Sequence, residues 1–156
     1  MSKYIFKKSH SQLISESIKS LKDFNGSYEW LPDGSDWGAG GCRILAEALS
    51  RLISDENDCL ISVSYSSSRH TTSIYPVPQH VYVKCYLSSY ECFIDYNGVQ
   101  DREAFRRNQR RDLNTALPIL GVYEPLQCDK HGIEASESSI QSTYEYLRDY
   151  LLSHRK

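Results

Sequence analysis

The sequence has no long apolar run, no paired cysteine motif and little net charge, and each absence narrows the possible functions. No segment is apolar over enough residues to span a bilayer, so no membrane association is predicted. The formal net charge is -2, so no overall field favours binding to nucleic acid or to a membrane surface. A chain of 156 residues is expected to form a single domain, 1–156, around one hydrophobic core.

The cysteines are odd in number and contain no C-x-x-C pair; they are Cys42, Cys59, Cys85, Cys92 and Cys128. This pattern argues against a disulfide framework and a zinc ribbon, and it favours a reducing compartment. The N-terminus lacks the apolar core and the small-residue cleavage site of a secretory signal. We therefore predict a cytoplasmic protein, although export by a dedicated secretion machine would leave no such signal.

Hydrophobic periodicity predicts a mixture of helices and antiparallel strands, an α+β fold. The predicted helices cover 9–24, 42–53, 102–112 and the chain after 139, and the predicted strands cover 59–65, 80–87, 90–96 and 117–123. The helix from Cys42 carries a wide apolar stripe and is expected to be the central, most buried helix. Residues 26–41, which include both tryptophans and five of the eight glycines, are expected to form a loop.

Cys42 lies at the junction of a glycine-rich stretch and this central helix. The stretch reads Trp-Gly-Ala-Gly-Gly over 37–41, and the helical pattern follows without interruption. The N-terminus of a helix favours negative charge, so a thiol placed there is biased towards the thiolate, the form that attacks carbonyl carbons. Cys42 is therefore the candidate nucleophile.

His80 and Asp95 are predicted to face each other across a hairpin. A loop at Leu87-Ser88, or one over 86–89, gives a register that pairs His80 directly with Asp95 and Lys84 with Glu91. The opposite-charge pair and a wholly apolar opposite face favour this register. Opposed residues have Cβ atoms roughly 4.5–5.5 Å apart, close enough for the carboxylate to accept a hydrogen bond from the imidazole.

A nucleophile, a base and an orienting carboxylate are the parts that nucleophilic catalysis needs. Asp95 would orient His80, His80 would take the proton of Cys42, and the thiolate would form a thioester. The oxyanion would be held by the Cys42 backbone N–H and by a second donor from the preceding loop, either Trp37 or a nearby backbone amide. Glycines would let the backbone approach the substrate closely at positions Gly38, Gly40 and Gly41.

Over residues 37–98 the chain resembles the papain-like cysteine enzyme superfamily. The resemblance lies in the order of a Cys at the start of a buried helix followed by His and Asp on adjacent antiparallel strands, with gaps of 38 and 15 residues. The spacing is similar to that of arylamine N-acetyltransferases and transglutaminase-like enzymes. The stretch Gly-Gly-Cys-x-x-Leu-Ala-Glu-Ala also resembles small bacterial proteins, among them papain-like toxin domains and effector proteases.

The resemblance implies a papain-like core, with the nucleophile helix packed on an antiparallel sheet. It implies a cysteine peptidase or amidase without a cofactor, acting on a protein or peptide, and a bacterial toxin or effector role. The chain is too small for an obvious coenzyme A site, which favours hydrolysis over acyl transfer. Acyltransferase, transglutaminase and deamidase chemistry stay open, as does a non-catalytic interaction or immunity-type module on the same scaffold.

Simpler interpretations of individual residues also stay open. Asp95 could cap the turn at Asn97-Gly98, and the two tryptophans could be core anchors instead of cleft residues. The candidate triad could in principle bind zinc, but no fourth ligand follows at a recognisable spacing. A basic cluster on the helix after residue 101 is expected to be a solvated face, with phosphate or an acidic partner as the alternative; it comprises Arg106, Arg107, Arg110 and Arg111.

Overall fold

The computed structural model of the chain describes residues 8–38, 40–53, 59–66, 77–87, 90–113, 119–123, 125–130 and 133–154. Within these residues the fold is α+β, as predicted. The helices are α1 (Lys8–Asp23), α2 (Cys42–Leu52), α3 (Arg102–Leu113), α4 (Pro125–Lys130) and α5 (Glu137–Ser153), with a 3-10 helix at Asn25–Trp30. The strands are β1 (Leu60–Ser66), β2 (Val77–Leu87), β3 (Tyr90–Asp95), β4 (Gly98–Gln100) and β5 (Ile119–Val122).

The strands form one antiparallel sheet in the order β4-β3-β2-β1-β5. Neighbours in sequence are neighbours in the sheet from β1 to β4, and β5 returns to pair with the outer side of β1. Strand β2 is therefore the central strand, with β1 on one side and β3 on the other. The candidate histidine and the candidate aspartate are on two adjacent strands at the middle of the sheet.

Helix α2 packs on one face of this sheet and forms the centre of the main core. Its apolar residues recur at helical spacing, and nearly the whole helix is buried, which confirms the predicted central helix. The sheet presents Val81, Val83, Cys85 and Ile94 to it, and α1 and α5 complete the layer. The opposite face is covered by α3, whose Phe105 packs on Tyr82 and Phe93.

The hairpin register differs from the prediction by two residues. Val83 pairs with Ile94, and the ladder extends to Leu87 opposite Tyr90, so the centre of the hairpin lies one residue later in the chain than assumed. This register places Leu87 inside the sheet, where its side chain is buried in the core. Because side chains alternate with a period of two, a two-residue shift leaves every residue on its predicted face. His80 and Asp95 are consequently diagonal neighbours, not directly opposed.

Three short elements were not predicted. The 3-10 helix lies within the expected loop, β4 has three residues, and α4 has six and begins at Pro125. Elements of this length contain too few residues for a periodic hydrophobic signal. Their positions are set by packing against the larger elements.

Candidate active site

A β-bulge directly precedes the candidate histidine. Ser64 pairs with His80 but Tyr65 pairs with Pro78, so one residue of β2, Gln79, has no partner in β1. Bulges bend a strand and redirect the side chains beside them, and they are common next to active sites. The bulge therefore bends β2 directly before His80, which pairs with Ser64 in the regular part of the ladder.

The loop before α2 delivers Cys42 to the first position of the helix. Gly40 has a φ of 96°, a left-handed conformation that glycine adopts without strain. Gly41 is the N-cap residue, and its N–H donates to the carbonyl oxygen of Asp36 over 2.9 Å. After these turns Cys42 is the first residue of α2, and its thiol lies next to His80 and Val81 of β2.

The structure brings Cys42, His80 and Asp95 together. His80 Nε2 lies 2.8 Å from Asp95 Oδ2, and the thiol of Cys42 is hydrogen bonded to the His80 side chain. Because Nε2 is directed at Asp95, Nδ1 is the ring nitrogen left to face the thiol. The backbone N–H of Val81 also donates to the sulfur. Val81 lies beyond the last β2–β3 pair, so the thiol sits where these two strands separate.

The surroundings of the pair favour a thiolate and an imidazolium. Burial by itself would raise the pKa of Cys42, but the hydrogen bond and charge of His80, with the N–H groups of Val81 and Arg43, lower it below its ordinary value. Burial by itself would lower the pKa of His80, but the hydrogen bonds to Asp95 and Cys42 raise it to about 10. The pKa values of the other buried thiols are shifted in the opposite direction, because burial raises the pKa of Cys85, Cys92 and Cys128.

Asp95 uses its two oxygens for two purposes. Oδ2 faces His80, whereas Oδ1 accepts from the backbone N–H of Asn97 over 2.8 Å and from Gln100 Nε2 over 2.7 Å. Asp95 therefore caps the turn through Oδ1 and contacts His80 through Oδ2, so both interpretations of this residue describe the structure. Three donors around one buried carboxylate fix the plane of that carboxylate.

Aromatic rings hold the imidazole of His80 in place. The rings of Tyr82 and Phe105 lie roughly parallel to it, with centroids 5.9 and 6.5 Å away, and Tyr96 meets it edge-on at 6.0 Å. The Tyr96 ring also rests on Gly38, where a Cβ atom would come within 2.9 Å of it. A glycine in the loop before Cys42 thus permits the close approach of a ring that shields the histidine.

The side chain of Trp37 is a core anchor. It is 1 % exposed, and its indole N–H donates to Ser27 Oγ over 3.2 Å. The predicted use of this indole as an oxyanion donor is therefore wrong, because the donor is already bonded inside the core. The backbone N–H of Cys42, which has no helical acceptor, and a backbone amide of the preceding loop remain as predicted donors.

The three side chains converge, and all three are buried. Cys42, His80 and Asp95 are only 4 %, 3 % and 4 % exposed. Two cavities lined by described residues lie elsewhere, one of about 490 Å³ between α1 and α5 and one of about 190 Å³ beside Trp30. Residues 67–76, which precede β2, are outside the described residues.

The basic cluster on α3 is exposed. Three of its members, Arg106, Arg107 and Arg110, line a groove of about 440 Å³. Arg102, at the start of α3, forms a bidentate pair with Glu91, at 2.7 and 2.9 Å. Exposure agrees with the solvated face that was expected. In the part of the chain that the structure describes, no helix is long and apolar enough to cross a membrane. The same residues contain no group of three or more His, Cys, Asp or Glu placed to hold a metal ion.

Sequence reasoning missed two polar residues next to the triad. Gln100 of β4 contacts Asp95, and Arg43, the residue after the thiol, is buried with its guanidinium bonded to Tyr123, Asp129 and the carbonyl oxygen of Ile133. Arg43 thereby ties the start of α2 to the segments around α4. A single Gln after a turn, or an Arg in a helix, gives no signal of burial, so neither contact could be foreseen.

Substitution of Gly41 by Ala is expected to displace the start of α2. A Cβ at this position would come within 2.7 Å of Leu31 Cδ2 and 2.8 Å of the carbonyl oxygen of Asp36. The backbone must shift, so we expect a loss of roughly 1–3 kcal/mol in the free energy of unfolding, measured by urea titration. The matched control is Gly34→Ala, because a Cβ at this position meets no atom within 4 Å and the only unfavourable feature is the φ of 76°. Equal stability of Gly41→Ala and the wild type would contradict this packing.

Comparison of the chain with protein-family models, with curated proteins and with solved structures gave no match.

Proposed function

We propose that the protein is a cysteine-dependent hydrolase, a peptidase or amidase, with a papain-like core. The observation that carries the proposal is the hydrogen-bonded series from the Cys42 thiol through His80 to Asp95, with 2.8 Å between His80 Nε2 and Asp95 Oδ2. The order of a helix-borne thiol followed by His and Asp on adjacent antiparallel strands supports the papain-like assignment. A bacterial toxin or effector role, implied by resemblance alone, stays a prediction, as does the cytoplasmic location.

In this mechanism the enzyme rests as a thiolate–imidazolium pair. The thiolate of Cys42 attacks the carbonyl carbon of an amide, and the negative charge moves to the carbonyl oxygen, next to the first-turn N–H groups of α2. His80 Nδ1 gives its proton to the leaving amine, the C–N bond breaks, and a thioester remains. His80 then takes a proton from water, the resulting hydroxide attacks the thioester, and the acid leaves as Cys42 is released.

The test is turnover of peptide and amide substrates by the wild type and by Cys42→Ala. We expect a peptide-amide library to be cleaved by the wild type and the rate to fall about 10³-fold or more in Cys42→Ala, because the substitution removes the attacking atom. Cys59→Ala, at a half-buried cysteine outside the triad, is the matched control and should keep full activity.

Hydroxylamine added during turnover tests for the thioester intermediate that hydrolysis and acyl transfer share. A thioester intermediate yields a hydroxamate with this amine acceptor, and Cys42→Ala yields none. Release of ammonia from glutaminyl side chains instead of peptide cleavage would identify a deamidase. Retention of turnover in Cys42→Ala would contradict the proposal.

A second candidate is a non-catalytic interaction module on the same scaffold. The observation that favours it is the burial of the triad, since Cys42 and His80 are 4 % and 3 % exposed. In that case Cys42 of the folded protein would react with iodoacetamide no faster than the other cysteines, and no substrate of the library would be turned over. Rapid alkylation of Cys42 alone would exclude this candidate.

A further inference from the structure

Two polar side chains stand behind Asp95, on the side away from His80. Gln100, at the end of β4, donates from Nε2 to Asp95 Oδ1 over 2.7 Å and to the carbonyl oxygen of Gly98 over 3.1 Å. Asn108, on α3, donates from Nδ2 to Gln100 Oε1 over 2.8 Å. A continuous series of hydrogen bonds therefore connects α3, through Gln100 of β4 and Asp95 of β3, to His80.

The burial of Gln100 makes these contacts specific. The residue is 7 % exposed, so its amide has little water to replace a lost partner. Both ends of the amide are used, since the nitrogen donates to Asp95 and Gly98 and the oxygen accepts from Asn108. Gln100 is thereby held in one orientation, with its donor aimed at the oxygen of Asp95 that does not face the histidine.

We infer that Gln100 is a positioning residue of the Cys42–His80–Asp95 set, and that Asn108 holds Gln100 in turn. This inference rests on the proposed function. With Oδ1 bound by Gln100 and by the N–H of Asn97, the carboxylate does not rotate about its Cβ–Cγ bond, and Oδ2 stays directed at His80 Nε2. The ring keeps its proton on Nε2 and exchanges the other one, on Nδ1, with the thiol.

Helix α3 is therefore connected to the Cys42–His80–Asp95 set through two of its residues. Asn108 reaches it through Gln100, and Phe105 lies against the His80 ring, 6.5 Å between centroids. The placement of this helix over the sheet is thus part of how the imidazole is oriented.

The test is the pH dependence of Cys42 alkylation by iodoacetamide in Gln100→Met, which keeps the length of the side chain and removes its donor. We expect the acid limb of the profile to move to higher pH, with alkylation about tenfold slower near pH 6, because a less well oriented Asp95 stabilises the imidazolium and the thiolate less. Above the ordinary pKa of a thiol the rates of variant and wild type should converge. Asn108→Leu is expected to shift the limb in the same direction, by about threefold in rate.

The control is Gln141→Met, at an exposed glutamine of α5 that bonds to Glu145, and its profile should match the wild type. An acid limb unchanged in folded Gln100→Met overturns the inference, and so does an equal loss of rate at every pH, which indicates a merely structural role. If Gln100→Met does not fold, the profile of Asn108→Leu decides. Failure of the proposed function gives a different result. In that case the wild type and His80→Ala have the same pH profile of Cys42 alkylation, whatever the effect of Gln100→Met.

Discussion

Replacement of His80 by Ala is expected to slow the alkylation of Cys42 near pH 6 by about 100-fold or more. The hydrogen bond and charge of His80 are the largest influences that lower the pKa of Cys42, while burial opposes them. Without the imidazole, the thiol returns to an ordinary pKa of about 8.5 or above, and less than about one thiol in a hundred is ionised near pH 6. The measurement is the second-order rate of iodoacetamide incorporation at Cys42, mapped by peptide mass spectrometry.

The matched control is His154→Ala, at an exposed histidine that follows α5 and stacks on Tyr150. It removes the same ring far along the chain from the triad and should leave the rate at Cys42 unchanged. Equal rates in the wild type and in His80→Ala would show that the imidazole does not activate the thiol.

The pH dependence of the wild type follows from the directions of the two pKa shifts. Because the pKa of Cys42 is lowered, the thiolate is present well below the ordinary thiol range and disappears as the pH falls through the lowered value. Because the pKa of His80 is raised to about 10, the imidazolium that protonates the leaving group persists until the pH approaches that value. Turnover should therefore fall at high pH while alkylation of Cys42 does not.

Replacement of Asp95 by Ala is expected to have the largest effect on stability. The carboxylate is buried and accepts from His80, Asn97 and Gln100, so its removal leaves three donors without their acceptor. Loss of one partner of a buried charged pair costs about 3–5 kcal/mol in the free energy of unfolding. We expect this loss in urea titrations, together with slow alkylation of Cys42 near pH 6.

Asp95→Asn separates the two uses of this side chain. An amide has one acceptor oxygen, so it can serve either the donors of Asn97 and Gln100 or the ring of His80, but not both. We expect a smaller loss of stability, of about 1–3 kcal/mol, with alkylation of Cys42 still at least about tenfold slower near pH 6. Wild-type stability and reactivity in both variants would contradict the described bonding of Asp95.

The sequence was sufficient to predict the three candidate residues because each carries a local signal. The glycine run ahead of an apolar helical stripe placed Cys42 at a helix N-terminus. The alternation of apolar side chains placed His80 and Asp95 on one face of a hairpin. That second prediction survived an error of two residues in the register, since the face of a strand residue depends only on odd or even spacing.

The rest of the site depends on contacts between distant segments. The bulge before His80 arises from the pairing of β1 with β2, and the hydrogen bonds of Gln100 arise from the position of α3. Trp37 could have faced the cleft or the core, and the hydroxyl of Ser27, ten residues earlier, bonds its indole in the core. None of these contacts has a periodic pattern or a fixed spacing that the sequence alone reveals.

The central claim, that the imidazole of His80 ionises the thiol of Cys42, is tested most directly by titrating that thiol. The thiolate absorbs in the ultraviolet, and the difference between the wild type and Cys42→Ala across pH isolates the contribution of one sulfur. We predict that Cys42 ionises well below the ordinary thiol range, and that this early rise of the thiolate absorbance is lost in His80→Ala. A Cys42 that ionises only above about pH 8.5, as an ordinary thiol does, would contradict the account.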